Sequence, residues 1–146
     1  MPKSTTSCSS ILALMYNATT WTNVAVNATV APLSDIYVSL HTGALTPATG
    51  TQADLETVYT NYVRVAKART VLGWAAPSGG STSNVGSVQF EQCGVTGAVL
   101  TYVATGTVAS GGPGIAWHYG VLNSPLTVSN GITPIFANGT LVITET

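Results

Sequence analysis

At 146 residues the chain fits a single domain, which buries about two thirds of the surface its unfolded form exposes. Charged residues are 6% of it, against about 25% in an ordinary soluble domain, and a net charge of −1 supplies neither a basic stripe for nucleic acid nor a polybasic membrane patch. A surface so poor in charge, near a pI of about 6, needs cover from partner chains or from hydroxyls.

Residues 1–10 form a polar arm without periodicity, expected to be disordered when free or ordered only against a neighbour. Ser9 or Ser10 then caps a short helix with Ile11, Leu12, Met15 and Tyr16 as its apolar stripe and Trp21 as an extension. The apolar run 11–16 is too short for a secretory leader, no run approaches a membrane span, and the expected setting is synthesis and folding in a cytoplasm. The boundary is drawn at 1–22 for arm and helix and 23–146 for one β domain, with residues 23–32 as a connector. Cys8 and Cys93 have no metal-ligand spacing and read as two buried thiols, the alternative being one bridge from the arm to the body.

Residues 35–42 are the cleanest strand of the first half, with Ile36, Val38 and Leu40 inward and Tyr37, Ser39 and His41 outward. After a loop over 43–52, residues 54–59 read as a helical turn or a bent strand and bring Asp54 and Glu56. Residues 62–70, closed by Gly73 and Trp74, carry three of the four cations on a period-2 pattern. As a strand, this stretch puts Tyr62 and Arg64 on one face and Lys67 and Arg69 on the other. Cations on both faces suit a sheet rim or a subunit contact, since an unpaired charge in a core costs several kcal/mol. Asp54 and Glu56 are the counterions at hand for Arg64, Lys67 or Arg69, within the chain or across a subunit boundary. Tyr62, Arg64, Lys67, Arg69, Trp74, Asp54 and Glu56 are therefore the candidate interface.

Residues 77–81 read as a turn or flexible loop, 85–90 and 95–104 as strands, and 111–114 as a turn. Residues 115–122 form a strand with Ile115, Trp117, Tyr119 and Val121 on one side. Pro125 interrupts, Leu126 and Val128 open a short strand, and Asn130-Gly131 signals a tight turn. Pro134 marks an edge, and Asn138-Gly139 leads into a last strand over 140–144. Short strands with turns at regular spacing give a mainly β fold: an antiparallel sandwich or barrel-like domain with a short N-terminal helix and a polar arm.

Chemical motifs are sparse. His41 and His118 are the two imidazoles and share no metal-ligand spacing, so no metal or other cofactor is expected and both read as strand-surface residues. No nucleophile elbow accompanies the many hydroxyls, the five carboxylates form no evident glycosidase pair, and the 111–114 run lacks the Lys-Ser/Thr of a phosphate loop. The expectation is a protein without enzymatic activity. Three acceptor-like triplets, starting at Asn17, Asn27 and Asn138, are chance matches in a Thr-rich chain. Seven aromatics, Tyr37, Tyr59, Tyr62, Trp74, Tyr102, Trp117 and Tyr119, leave a sugar-binding surface as an alternative to core or interface anchoring.

Several stretches carry a resemblance: the Ile11-Leu12 helix with Asn17-Ala18-Thr19-Thr20-Trp21, Tyr37-Val38-Ser39-Leu40-His41-Thr42, Tyr59-Thr60-Asn61-Tyr62-Val63-Arg64-Val65-Ala66 with Gly73-Trp74, and Asn130-Gly131-Ile132-Thr133-Pro134. Over nearly its whole length the chain resembles small tailed-bacteriophage virion proteins, usually labelled tail fibre proteins, some of which act as capsid decoration (cement) proteins. The resemblance implies a homotrimer on the outside of the phage head, bridging subunits of the major capsid protein after synthesis in the host cytoplasm. Many weak contacts then add through multivalency. A tail fibre or baseplate component is the runner-up, and a carbohydrate-binding module is the alternative of another class.

Overall fold

The computed structural model describes residues 3–28, 30–47, 50–110 and 112–146. Met1, Pro2, Thr29, Ala48, Thr49 and Gly111 lie outside them, and with them the start of the expected arm and parts of the connector, the 43–52 loop and the 111–114 turn. In chain order the elements are α1 (Thr5–Asn17), β1 (Asp35–His41), β2 (Val65–Ala68), β3 (Ser81–Ser83), β4 (Val88–Gln89), β5 (Ala98–Gly106), β6 (Ala116–Val128), β7 (Ile135–Phe136) and β8 (Val142–Thr144). An open sheet runs β2-β1-β5-β6, and β3 pairs with β8 and β4 with β7. The β1–β5, β5–β6 and β3–β8 ladders are antiparallel. The fold is mainly β and compatible with a sandwich; the large sheet does not close, so the barrel alternative falls.

The elements group into two compact units. One comprises Met1–Asp35, Lys67–Ser87 and Phe136–Thr146, the other Ile36–Ala66 and Val88–Ile135. The 23–146 segment thus contributes to both.

In the first unit the helix starts one turn earlier than the sequence suggested. Ser4 is the N-cap, its hydroxyl accepting the Ser7 N–H at 3.2 Å, so Ser9 and Ser10 lie inside the helix. The expected free arm is thus helical from Thr5 onward. The apolar stripe explains the shift: Cys8 precedes Leu12 and Tyr16 at spacings of four, and these three are the buried residues of α1. Tyr16 meets the buried Trp74 ring edge-on, 4.8 Å between centroids and 71° between planes, and Asn17 Nδ2 donates to the Trp74 carbonyl at 2.9 Å. Gly79 and Gly80, at φ +63 and +77, turn the chain between Ser78 and Ser81, whose two mutual backbone bonds launch β3. Asn84 then joins β3 to the last segment. Its side chain accepts the Leu141 N–H at 2.9 Å and donates to the Gly86 and Ala137 carbonyls at 2.6 and 2.9 Å.

In the second unit β1 is central and β5 its partner, Leu40 facing Val103 and Val38 facing Thr105. Ile36, Val38 and Leu40 point inward as expected, but Ser39 and His41 are also fully buried, which corrects their outward assignment. The segment that the sequence left between a helical turn and a bent strand lies beside this end of β1 and pairs with it. Thr42 N–H bonds the Leu55 carbonyl and Thr57 N–H the Leu40 carbonyl, both at 2.9 Å, so residues 54–57 run antiparallel beside the end of β1, with Glu56 opposite His41. Tyr59, Tyr62 and Phe90 form an aromatic cluster with centroid separations of 5.3 and 6.2 Å.

Two other expectations change. The basic stretch 62–70 shrinks to β2, because Asn61 at φ +77 and the Tyr59–Tyr62 turn bend the chain before it, and a turn from Thr70 to Trp74 ends it. Pro125 does not interrupt the strand containing it: β6 runs through to Val128. There the register slips, so that residues 122–125 oppose Thr101 alone, and the proline sits in that bulge on an edge strand, where its missing N–H breaks no ladder bond.

Candidate functional site

The carboxylate-cation pairing expected from sequence forms once, inside the second unit. Arg64 Nε and Nη2 donate to Glu56 Oε1 and Oε2 at 2.7 and 2.6 Å, a two-pronged pair whose Arg64 side chain is 2% exposed. The guanidinium also donates to the carbonyls of Val108 and Gly112 at 2.9 and 3.2 Å, so it clamps the β5–β6 connection. The Glu56 bond raises the Arg64 pKa further, and the group stays charged. Tyr62 completes the cluster, its hydroxyl donating to Glu56 Oε1 at 2.8 Å while accepting the Leu40 N–H at 3.0 Å. Burial, with Glu56 beside it, pushes the Tyr62 phenol well above its usual range and keeps it a donor.

Gln52, which the sequence reading passed over, doubles the clamp. Fully buried, it donates from Nε2 to the Tyr37 carbonyl and accepts the Val108 N–H at Oε1, both at 3.0 Å. Gly106 makes room for it: a Cβ there would lie 2.3 Å from Gln52 Cδ.

His41 sits beside the same cluster. Its Nδ1–H donates to the Asp54 carbonyl at 2.8 Å, since a carbonyl accepts alone, leaving Nε2 to accept from Ser39 Oγ at 2.9 Å. A hydroxyl on an oriented imidazole is a nucleophile's arrangement, but here both residues are fully buried. Burial holds the His41 pKa below its usual 6.5, although the Asp54 carbonyl and the Glu56 charge oppose the shift. The neutral ring therefore stabilises the fold fully above pH 6.5, and that contribution is lost as pH falls toward the lowered folded value. The melting temperature should drop as pH falls below 6.5, and His41→Gln should flatten that slope, as melts across the range will show.

The remaining candidates serve separate places. Arg69, in the first unit, donates from Nε to the Met15 carbonyl at 2.6 Å, from Nη2 to the Leu14 carbonyl, and from Nη1 to Asn27 Oδ1 at 2.6 Å and the Leu33 carbonyl at 3.4 Å. The local sequence creates this demand: Ala18, at φ +54, ends α1 with its amide and that of Thr19 both on the Ala13 carbonyl, leaving the Leu14 and Met15 carbonyls for the cation. Lys67 Nζ donates to the Val85 carbonyl at 2.7 Å. Asp54 binds Thr51 Oγ1 at 2.6 Å, which lowers its pKa, rather than a cation. Cys8 and Cys93 are free, buried thiols, so the bridge alternative does not hold. Among the described residues no group of His, Cys, Asp or Glu is arranged to hold a metal, and no helix is long and apolar enough to cross a membrane.

Burying Arg64 and Arg69 leaves a surface with even less charge than the composition implies. Its apolar residues are correspondingly prominent: Val58, Val95, Val30 and Leu72 are 88, 87, 83 and 80% exposed. Of the seven aromatics, Tyr59 and Trp74 are buried and Tyr119 alone is exposed. A family model described as podophage GP4 fiber I protein gp80 matches residues 13–144. The chain belongs to that family. This fiber I family member is a phage virion structural protein. No curated protein matches it.

Proposed function

We propose that this fiber I family protein is a non-enzymatic, homo-oligomeric assembly protein of the outer virion, attached as a decoration on the major capsid protein. The observation that carries this reading is the surface: cations are drawn inside as structural ties, while large aliphatic side chains stand in solvent. An interface of this kind holds through many shallow apolar contacts, and repetition over a particle multiplies them. The buried Ser39-His41 pair supports a role without catalysis. The family's description supports a second reading, a component of the tail fibre.

The two readings differ in where the chain sits. Purified protein added to particles lacking it should bind the heads and raise the temperature at which they rupture. Binding at the tail with unchanged rupture would support the fibre reading instead, and binding to neither would sink both.

A further inference from the structure

Ser39 and His41 lie two residues apart on β1, fully buried, and their hydrogen bonding leaves one choice open. The Ser39 hydroxyl has a single proton to give and two acceptors in reach, His41 Nε2 at 2.9 Å and the Ala104 carbonyl of β5 at 3.5 Å. Ala104 is also the ladder partner of Ser39, so the second acceptor stays in place as long as the sheet is intact. With the ring neutral, the nearer acceptor takes the proton. His41 Nδ1 carries the ring hydrogen, which meets the Asp54 carbonyl at 2.8 Å, and Nε2 is left with a lone pair.

A second ring proton reverses that bond. Nε2 becomes a donor, the Ser39 oxygen beside it accepts, and the hydroxyl proton must go elsewhere. The Ala104 carbonyl is there to receive it. A proton from water adds at Nε2, the hydroxyl rotates about its Cβ–Oγ bond, and no other covalent bond is made or broken. The surroundings of the ring pull both ways. Burial works against the added charge, Glu56 opposite His41 and the Asp54 carboxylate favour it, and Arg64 opposes it. Tyr62 bonds the adjacent Leu40 amide and keeps its phenol proton, and Tyr102 is the residue opposite His41 in β5.

We infer that Ser39 and His41 form a proton switch inside the folded chain: when Nε2 takes a proton, the Ser39 hydroxyl turns from the ring to the Ala104 carbonyl. The two positions tie different segments together. In the neutral form the side-chain bonds start at the Asp54 carbonyl, pass through His41 and end on Ser39, within β1. In the acid form they run on to Ala104 and so reach from residues 54–57 across β1 into β5. The imidazolium is then held with both of its N–H groups bonded, where a ring without the hydroxyl would leave a buried donor unsatisfied. The β1–β5 ladder stays closed. The fall in melting temperature below pH 6.5 levels off once the folded chain has taken the proton, because folded and unfolded forms then both carry it.

The test is nuclear magnetic resonance of the full chain, with labelled imidazole nitrogens and a labelled Ala104 carbonyl carbon, from about pH 7.5 down to about pH 4. The wild type should begin with the hydrogen on Nδ1, gain the second at Nε2 while its amide signals stay dispersed, and show the Ala104 carbonyl moving with the same midpoint as the ring. His41→Gln should remove that carbonyl titration. In Ser39→Ala the carbonyl should no longer follow the ring, and the His41 midpoint should fall by about half a pH unit or more, since a hydrogen bond to a charged group is the stronger one. A neutral ring with its hydrogen on Nε2, amide signals that collapse as the ring takes its proton, or an Ala104 carbonyl indifferent to the ring would each overturn the inference. All three are read on the wild type, so a Ser39→Ala chain that does not fold leaves the test intact. A folded Ser39→Ala chain with the wild-type midpoint would overturn it as well.

Discussion

Reversing the charge of Arg64 with Arg64→Glu should cost about 3–5 kcal/mol or more, because it removes the cation from a buried pair and sets a second carboxylate against Glu56. In a domain of this size that is a fall of roughly 10–15 °C in melting temperature. The Val108 and Gly112 carbonyls lose their donor at the same time, so residues 107–114 should become the first site of proteolysis. Lys3→Glu is the control. Lys3 is solvent-exposed and pairs with Glu145 at the surface, and the substitution should shift the melt far less. Removing both buried charges with Glu56→Gln and Arg64→Met should restore much of what Arg64→Glu loses. Equal melts for Arg64→Glu and Lys3→Glu would mean that the clamp does not hold the fold.

Arg69→Lys is the second large effect. A lysine keeps the charge but cannot reach Leu14, Met15, Asn27 and Leu33 together, since its ammonium is a point on a flexible stem and the guanidinium is a planar fork. Burial already lowers the Arg69 pKa, which reflects the work of holding a cation away from water. At least one helix-terminal carbonyl should be left without its donor, a loss of about 2–4 kcal/mol. Melts will give its size, and faster amide exchange at residues 14–18 and 27–34 will locate it. A lysine variant as stable and as protected as the wild type would show that the charge alone suffices there.

The two arginines also show where sequence reading stops. Glu56 as a counterion of Arg64 was legible, because a carboxylate a few residues before a basic stretch has few other cations to choose from. Arg69 was not legible in the same way, for its acceptors are carbonyls, and every residue has one. The same limit hid Gln52 and Asn84, both buried hubs whose partners are mostly backbone atoms. His41 was misplaced because period-2 alternation assumes one covered face, and in β1 Ser39 and His41 are buried as well as Ile36, Val38 and Leu40.

By itself the sequence determined the class of the molecule: mainly β with one helix near its N-terminus, poor in charge, without a motif for catalysis, and virion-like in its motifs. The β pattern, the helix and the scarcity of charge follow from composition and periodicity, which the sequence carries directly; the virion-like character came from the resemblance of its motifs to a known family. Only the tertiary structure decided which charges are internal, that the large sheet stays open, and that the strand through Pro125 continues. Each of these depends on which distant backbone atoms arrive beside a residue. Local pattern cannot encode that, because the amide and the carbonyl are the same at every position.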